Sequence, residues 1–154
     1  MSSNYTTIVM KTKLQIIEDF FERVWSQGDS DIIRKVFVPD GDDQKTAAGL
    51  AREAKLSPED FIAFQQALLG LVPSLKISIV QHAEDGDWLI VRCVVDATSS
   101  AGQPVQMTGT AWARITDGKI REAYNYFDFL HFFEGLGLLP EDTLSKCLSG
   151  IVVH

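Results

Sequence analysis

Asn125 and Asp128 are the two polar residues best placed to do chemistry, because they lie in an aromatic segment where a strand is predicted to meet a helix. A carboxylate whose pKa is raised by apolar burial can act as a general acid or base, and an amide can donate a hydrogen bond to a ligand carbonyl. Asp128 also fits a structural task, since it could accept hydrogen bonds from the free N–H groups of the next helix. Asn125 has no such plain structural task, so it is the more informative of the two.

The elements around this pair follow from local signals. The Asp117-Gly118 dipeptide predicts a hairpin turn, because Gly tolerates the positive φ that such turns need. Residues 119–127 then alternate as a strand, and a helix starting at Asp128 ends at Gly135 and Gly137. If no bulge intervenes, the alternation places Asn125 on one face with Arg121, Ala123 and Phe127.

The front half of the chain is predicted to be helical. Apolar residues recur at helical spacing from Leu14 to Trp25, a second helix starts at Asp31, and Ser57-Pro58 predicts the start of a third. Residues 41–55 are polar and weakly periodic, so we interpret them as a loop that could include a short helix. The segment Asp29-Ser30-Asp31 is expected to cap the second helix, and Ser57 is expected to cap the third.

The back half predicts four strands, at residues 75–82, 88–98, 105–115 and 119–127. Helices followed by antiparallel strands indicate an α+β domain in which helices cover one face of a bent sheet. Such a sheet leaves a concave apolar cavity at its mouth, which is the usual character of a small-molecule site. The aromatic residues could line that cavity, or they could simply form the core.

Segment 116–140, TDGKIREAYNYFDFLHFFEGLGLLP, resembles the end of the SnoaL-like polyketide cyclase family, within the nuclear transport factor 2-like superfamily. The resemblance extends over most of the chain, because segments 16–40, 56–79, 83–92 and 107–120 follow in the family's order. It implies a cone, in which a bent antiparallel sheet wraps around N-terminal helices. It also implies that the side of the strand carrying Asn125 faces the cavity.

The resemblance implies a cofactor-independent cyclase or isomerase that acts next to a carbonyl of a small apolar or aromatic molecule. In that family an acid/base Asp often stands at the position of Asn125, and an amide cannot titrate. The related limonene-epoxide hydrolases have an Arg and an Asp near the positions of Cys93 and Val95, so hydrolysis by their triad is not expected. The alternative is a non-catalytic ligand-binding or dimeric interaction protein that has lost the family acid/base.

We therefore predict two groups of site residues. Asn125 and Asp128 are the catalytic candidates, with a helix cap as the alternative role for Asp128. The predicted ligand-binding residues are Phe21, Trp25, Phe64, Cys93, Val95 and Phe127.

Length and charge restrict the classes of partner. The chain has 154 residues, which predicts a single domain over 1–154 with tails at 1–12 and 141–154. Its net charge of −7 argues against nucleic acid and anionic membranes, since both need a concentrated positive surface. A homodimer is expected, because an outer sheet face bearing Trp112, Arg114 and Val105 would leave a large apolar area exposed.

Cysteine and histidine usage predicts neither a disulfide nor a metal centre. Cys93 and Cys147 fit a reducing cytoplasm, and the N-terminus lacks the apolar core of a signal peptide, so a cytoplasmic location is expected. His82, His131 and His154 do not have metal-ligand spacing. No phosphate-binding loop or nucleophile elbow is present in the sequence, so no cofactor is expected.

Overall fold

The computed structural model describes residues 10–40 and 57–154. Its first half is helical: α1 (Lys13–Phe21) runs directly into a π-helical turn (Glu22–Ser26), and α2 (Asp31–Val36) and α3 (Pro58–Leu71) follow. The predicted helices are therefore present. The predicted loop at 41–55 and most of the predicted N-terminal tail lie outside the described residues.

Side-chain caps start these helices. Thr12 and Gln15 form a reciprocal capping box at α1, with N–O distances of 3.1 and 2.9 Å. The Asp29 carboxylate accepts from the Asp31 N–H at 3.0 Å, and the Ser57 hydroxyl accepts from the Asp60 N–H at 3.1 Å. Within the predicted segment Asp29-Ser30-Asp31, Asp29 supplies the cap, and the Ser30 side chain makes no capping bond. The cap predicted for Ser57 is confirmed.

Four antiparallel strands follow in the spatial order of the sequence, so each pairs with the next: β1 (Ser74–Asp85), β2 (Trp88–Thr98), β3 (Pro104–Thr116) and β4 (Lys119–Phe127). Asp117 and Gly118 both have positive φ, as a two-residue hairpin turn requires. Strand β1 extends three residues beyond the predicted His82, because the turn to β2 is confined to Gly86 and Asp87.

Two β-bulges interrupt this sheet. One lies between Ile79 and Gln81, and the other is at Arg121, where Ile115 pairs with Ile120 but Arg114 pairs with Glu122. Bulges bend a strand and increase its twist, so they help the sheet curve around the helices. The alternation predicted for β4 therefore holds only from Glu122 onwards. Arg121 does not share the face of Asn125, and its guanidinium donates instead to the carbonyl oxygen of Val38 at 3.0 Å.

The inner face of the sheet packs against the helices and forms the core. Val105 belongs to this face and is buried, so its predicted place on the outer face was wrong; the predicted alternation of β3 puts it with Met107 and Ala111. The outer face carries Trp112, which is 43% exposed, and Tyr126, which is 48% exposed.

The C-terminal part closes one end of the cone. Helix α4 (Phe129–Gly135) starts at Asp128 and buries Phe132, and the region predicted as a tail contains a further short helix, α5 (Thr143–Leu148). At the edge of the sheet, Phe37 forms a parallel bridge with Ile120, and the Val38 N–H donates to the Ile120 carbonyl at 2.9 Å. Across residues 10–40 and 57–154, no helix is long and apolar enough to cross a membrane.

Candidate functional site

A cavity of about 310 Å³ lies between the inner face of the sheet and helices α1, α3 and α4. Small residues create this space: Ala111 and Ala113 on β3 and Ala123 on β4 face the helices where larger side chains would fill the gap. Aromatic and aliphatic side chains form most of the remaining wall: Ile17, Phe20, Phe21, Trp25, Phe61, Phe64, Leu68, Leu75, Ile77, Leu89, Val91, Val95, Met107, Ile120, Phe127 and Phe129.

Asn125 contributes the only side-chain amide to the described lining of this cavity. It is paired with Ala111 across the β3–β4 ladder, and it is also exposed, so it lies at the mouth rather than at the apolar end. Its carboxamide makes no hydrogen bond to another residue of the described ranges. The amide is therefore available to a ligand, to which it can offer two N–H donors and one acceptor.

Asp128 is placed differently. Its Oδ1 accepts from the His131 N–H at 3.1 Å, so it caps α4, and the side chain is exposed and does not line the cavity. Asp128 therefore has the helix-capping role that was the alternative to a catalytic role in the sequence analysis.

Among the predicted ligand-binding residues, Phe21, Trp25, Phe64, Val95 and Phe127 line the cavity. Cys93 does not, and its placement there must be corrected. It faces inward from β2, but its neighbour across the ladder is Gly109, and the ring of Phe127 lies directly over that glycine. Burial raises the pKa of the Cys93 thiol to about 11, so this sulfur is protonated and unreactive at neutral pH.

The charge of the lining decides which chemistry its side chains can perform. No Asp, Glu, His, Lys or Arg belongs to the described lining, and Tyr124 and Tyr126 are its only titratable residues. Likewise, no group of three His, Cys, Asp or Glu within the described ranges could hold a metal ion. This part of the chain thus provides shape, apolar contact and one amide, without a carboxylate to move a proton.

The sequence reasoning missed two contributors to this site. The first is the set of alanines on β3 and β4, none of which, taken singly, indicates a cavity. Small residues at successive inward-facing positions of neighbouring strands could have predicted one. The second is Gln65, which is 1% exposed on α3 and bonds to the π turn that carries Trp25. Its position one turn after Phe61, on the buried face of the helix, was a readable signal.

A second, open hollow of about 430 Å³ lies on the outer face of the sheet, lined by Asp85, Trp88, Ile90, Trp112, Tyr124 and Tyr126. The Trp88 and Tyr124 rings stack there with centroids 6.2 Å apart. Tyr124 connects this hollow to an ionic network centred on Arg114, because its hydroxyl bonds to Glu122 of that network.

In that network the Arg114 guanidinium binds both oxygens of Asp40, at 2.7 and 3.1 Å, and donates to Glu122 at 3.2 Å. Glu122 also accepts a short hydrogen bond from the Tyr124 hydroxyl. The hydrogen bonds from Arg114 hold the pKa of Asp40 below its ordinary value. Reciprocally, the hydrogen bond to Asp40 raises the pKa of Arg114.

Comparison with known families identifies this architecture. A family model described as a SnoaL-like domain matches residues 17–123, which is more than half of the chain. The chain belongs to the SnoaL-like family. The resemblance seen in the sequence is thereby confirmed, together with the α+β fold of this SnoaL-like domain. Because the match ends at Ala123, the place of Asn125 in the site depends on the geometry rather than on the match.

Solved structures show the same fold. IdmH from Streptomyces antibioticus, a candidate polyketide cyclase, is 22% identical with a TM-score of 0.66, over 82% of this chain and 99% of that chain. A candidate polyketide cyclase from Acidithiobacillus ferrooxidans is 18% identical with a TM-score of 0.66, over 85% of this chain and 99% of that chain. An LEH-like epoxide hydrolase from M. tuberculosis is 16% identical with a TM-score of 0.57, over 88% of this chain and 93% of that chain.

These identities are low enough that the likeness establishes the fold alone. A comparison with curated proteins found no match. The side chains that line its own cavity are therefore the evidence for what this SnoaL-like domain binds.

Proposed function

We propose that this chain binds a small apolar or aromatic carbonyl compound in the cavity, with the Asn125 amide donating a hydrogen bond to the carbonyl oxygen. The observation that carries the proposal is one available amide at the mouth of a cavity whose remaining wall is almost entirely apolar. A ligand with one polar end and an apolar body satisfies both parts. Its carbonyl stays near the mouth, and its body lies against Ala111, Ala113 and the helices.

A second candidate function is a cofactor-independent cyclase or isomerase acting next to that carbonyl. Family membership and the candidate polyketide cyclases among the structural neighbours favour it. In such a reaction the Asn125 N–H would stabilise negative charge developing on the carbonyl oxygen, as oxyanion donors do. The amide at position 125 and the absence of a carboxylate from the described lining favour the first function, non-catalytic binding.

Titration calorimetry with matched ligands tests the binding proposal. An aryl ketone and the hydrocarbon that lacks its carbonyl are each titrated into the wild type and into Asn125→Ala. Loss of one hydrogen bond should weaken ketone binding about fivefold and leave the hydrocarbon unaffected. Gln106→Ala, which changes an exposed amide of β3, is the control and should alter neither affinity. Equal losses for ketone and hydrocarbon in Asn125→Ala would contradict the assigned hydrogen bond.

The two candidate functions differ in a single readout. If the chain is a catalyst, a bound aryl ketone with exchangeable α-hydrogens should exchange them with deuterium faster than in buffer, and Asn125→Ala should slow that exchange. If the chain only binds, the exchange rate stays at the value in buffer although the ketone is bound.

We also propose that the protein is a homodimer that pairs through the outer face of the sheet. The proposal is supported by the exposure of Trp112 and Tyr126, because apolar patches exposed on a protein surface commonly mark interaction sites. A two-fold axis would bring the same faces of two copies together and cover them.

A further inference from the structure

The π turn between α1 and α2 changes the hydrogen bonding of three consecutive carbonyl groups. The Gln27 N–H donates to the Glu22 carbonyl at 3.1 Å, five residues back, and the Asp29 N–H donates to the Arg23 carbonyl at 2.9 Å, six residues back. The Val24 carbonyl accepts from outside the helix, because the Nε2 of Gln65 on α3 lies 2.8 Å away. An α3 side chain thus completes the hydrogen bonding of the turn.

Gln65 uses both ends of its amide in this way. Its Oε1 accepts from the Ser30 hydroxyl at 2.7 Å, so one buried side chain joins the π turn to the residue before α2. The side chain is 1% exposed, so water cannot replace either bond. A buried carbonyl that loses its partner is strongly disfavoured, and the turn would therefore tend to rearrange if Gln65 were apolar.

The direction of Trp25 depends on this turn. Trp25 follows Val24 and lines the cavity, where its indole packs against Phe61 at 5.9 Å and edge-on against Phe64 at 6.0 Å, measured between ring centroids. Trp25 lies within this turn (Glu22–Ser26), so tightening the π turn to a regular α-helical turn, in which each residue advances by about 100°, would change the direction of its side chain. The indole would then leave the wall of the cavity.

We propose that Gln65 is a positioning residue that fixes the π turn and thereby holds the Trp25 indole in the cavity wall, where it sets which ligand sizes the cavity accepts. Gln65 does not itself line the cavity, so its effect on a ligand passes through Trp25. The choice of ligands in the test below rests on the proposed function, but the tryptophan readout does not.

The test uses the full chain with Trp88→Phe and Trp112→Phe, so that Trp25 is the remaining tryptophan. In this background Gln65→Met keeps the length of the side chain and removes both hydrogen bonds. We expect Trp25 emission to move to longer wavelength and its quenching by acrylamide to rise about twofold. The ratio of the affinities for Prodan, a naphthyl ketone, and the smaller acetophenone should change about fivefold.

Ser57→Ala is the matched control, because it removes the cap of the same helix and leaves the contacts of Gln65 in place. It should lower the melting temperature without moving the Trp25 spectrum or the affinity ratio. If Gln65→Met does not fold, Ser30→Ala replaces it, since this variant removes only the bond to Oε1 and should produce smaller changes in the same direction.

Unchanged Trp25 quenching and an unchanged affinity ratio in the folded variant would overturn the positioning role. Failure of both ketones to bind the parent protein would refute the proposed function instead, and the Trp25 spectra would still decide the role of Gln65.

Discussion

The ring of Phe127 lies against the backbone of Gly109 so closely that a Cβ at Gly109 would be 2.3 Å from a ring carbon. The absence of a side chain at Gly109 thus leaves room for the Phe127 ring, which forms part of the cavity wall. On its other side, Gly109 pairs with Cys93 of β2.

Gly109→Ala should therefore displace the Phe127 ring, together with the Tyr126 carbonyl oxygen, which would lie 2.5 Å from the new Cβ. We expect a loss of about 1–3 kcal/mol in the free energy of unfolding, as for other overpacked cores, together with weaker binding of the larger ketones. Chemical denaturation and calorimetry measure the two effects. Gly70→Ala is the control, since a Cβ there meets nothing within 4 Å and an exposed helical Gly→Ala change should be stabilising. Unchanged stability in Gly109→Ala would show that the ring can move without cost.

The space next to Asn125 is set by Ala111, which stands opposite it in the β3–β4 pair. Ala111→Leu should fill this part of the cavity and weaken binding of an aryl ketone at least tenfold, because the added methyl groups occupy the place of the ligand. Thr110→Leu adds comparable bulk to the adjacent residue on the opposite face and should leave the affinity unchanged. Equal affinities of Ala111→Leu and wild type would place the ligand elsewhere.

Local rules predicted most of the fold. Ser57, Asp29 and the Asp117-Gly118 turn each act within a few residues, so their effects could be read from neighbouring sequence. The site depended on contacts that no local pattern contains. Gln65 bonds to a carbonyl 41 positions away.

The bulge at Arg121 is another feature that no local sequence pattern predicted. An extra residue in a strand leaves the apolar and polar alternation plausible on both sides, so residues 119–127 read as one regular strand. The prediction that Asn125 faces inward was not affected, because the bulge lies before Glu122 and the alternation from Glu122 to Phe127 is regular. Cys93 was misplaced for a related reason: alternation gives the face of a side chain, but it does not show whether the cavity extends as far as that residue.

Substitution of Asp128 should affect stability and leave ligand binding unchanged, in contrast to substitution of Asn125. Asp128→Ala removes the cap of α4 and should cost about 1 kcal/mol of stability while ketone binding stays as in the wild type. Thermal melts and calorimetry on the same samples measure both. If Asp128→Ala abolished binding at an unchanged melting temperature, the assignment of a cap to Asp128 would be wrong.

Asn125→Asp introduces a titratable group among apolar neighbours, which should raise its folded-state pKa above that of the unfolded chain. A raised pKa means that the variant is most stable, relative to wild type, below the unfolded value of about 3.9, and loses stability as pH rises through the folded value. Melting temperatures of the two proteins across this pH range measure the difference. A difference that does not change with pH would show that the new carboxylate remains fully solvated.

The ion pair between Asp40 and Arg114 predicts the opposite dependence on pH. Because hydrogen bonds from Arg114 lower the pKa of Asp40, the stabilisation by this pair is present above the unfolded value of about 3.9 and is lost as pH falls through the folded value. Asp40→Asn should therefore melt below wild type at neutral pH, and the two melting temperatures should converge in acid. Asp87→Asn, in the exposed β1–β2 turn, is the control; an equal effect there would remove the special role of Asp40.

The outer face of the sheet gives the last prediction, that the wild type is a dimer at micromolar concentration in light scattering. Trp112→Glu places a charge at the centre of the exposed aromatic area and should produce monomers, because an unpaired charge in an interface is strongly disfavoured. Leu148→Glu makes the same kind of change on α5, where Leu148 is 80% exposed, and should leave the dimer intact. A monomeric wild type would refute the dimer. Dissociation by Leu148→Glu but not by Trp112→Glu would move the interface from the sheet to the C-terminal helix.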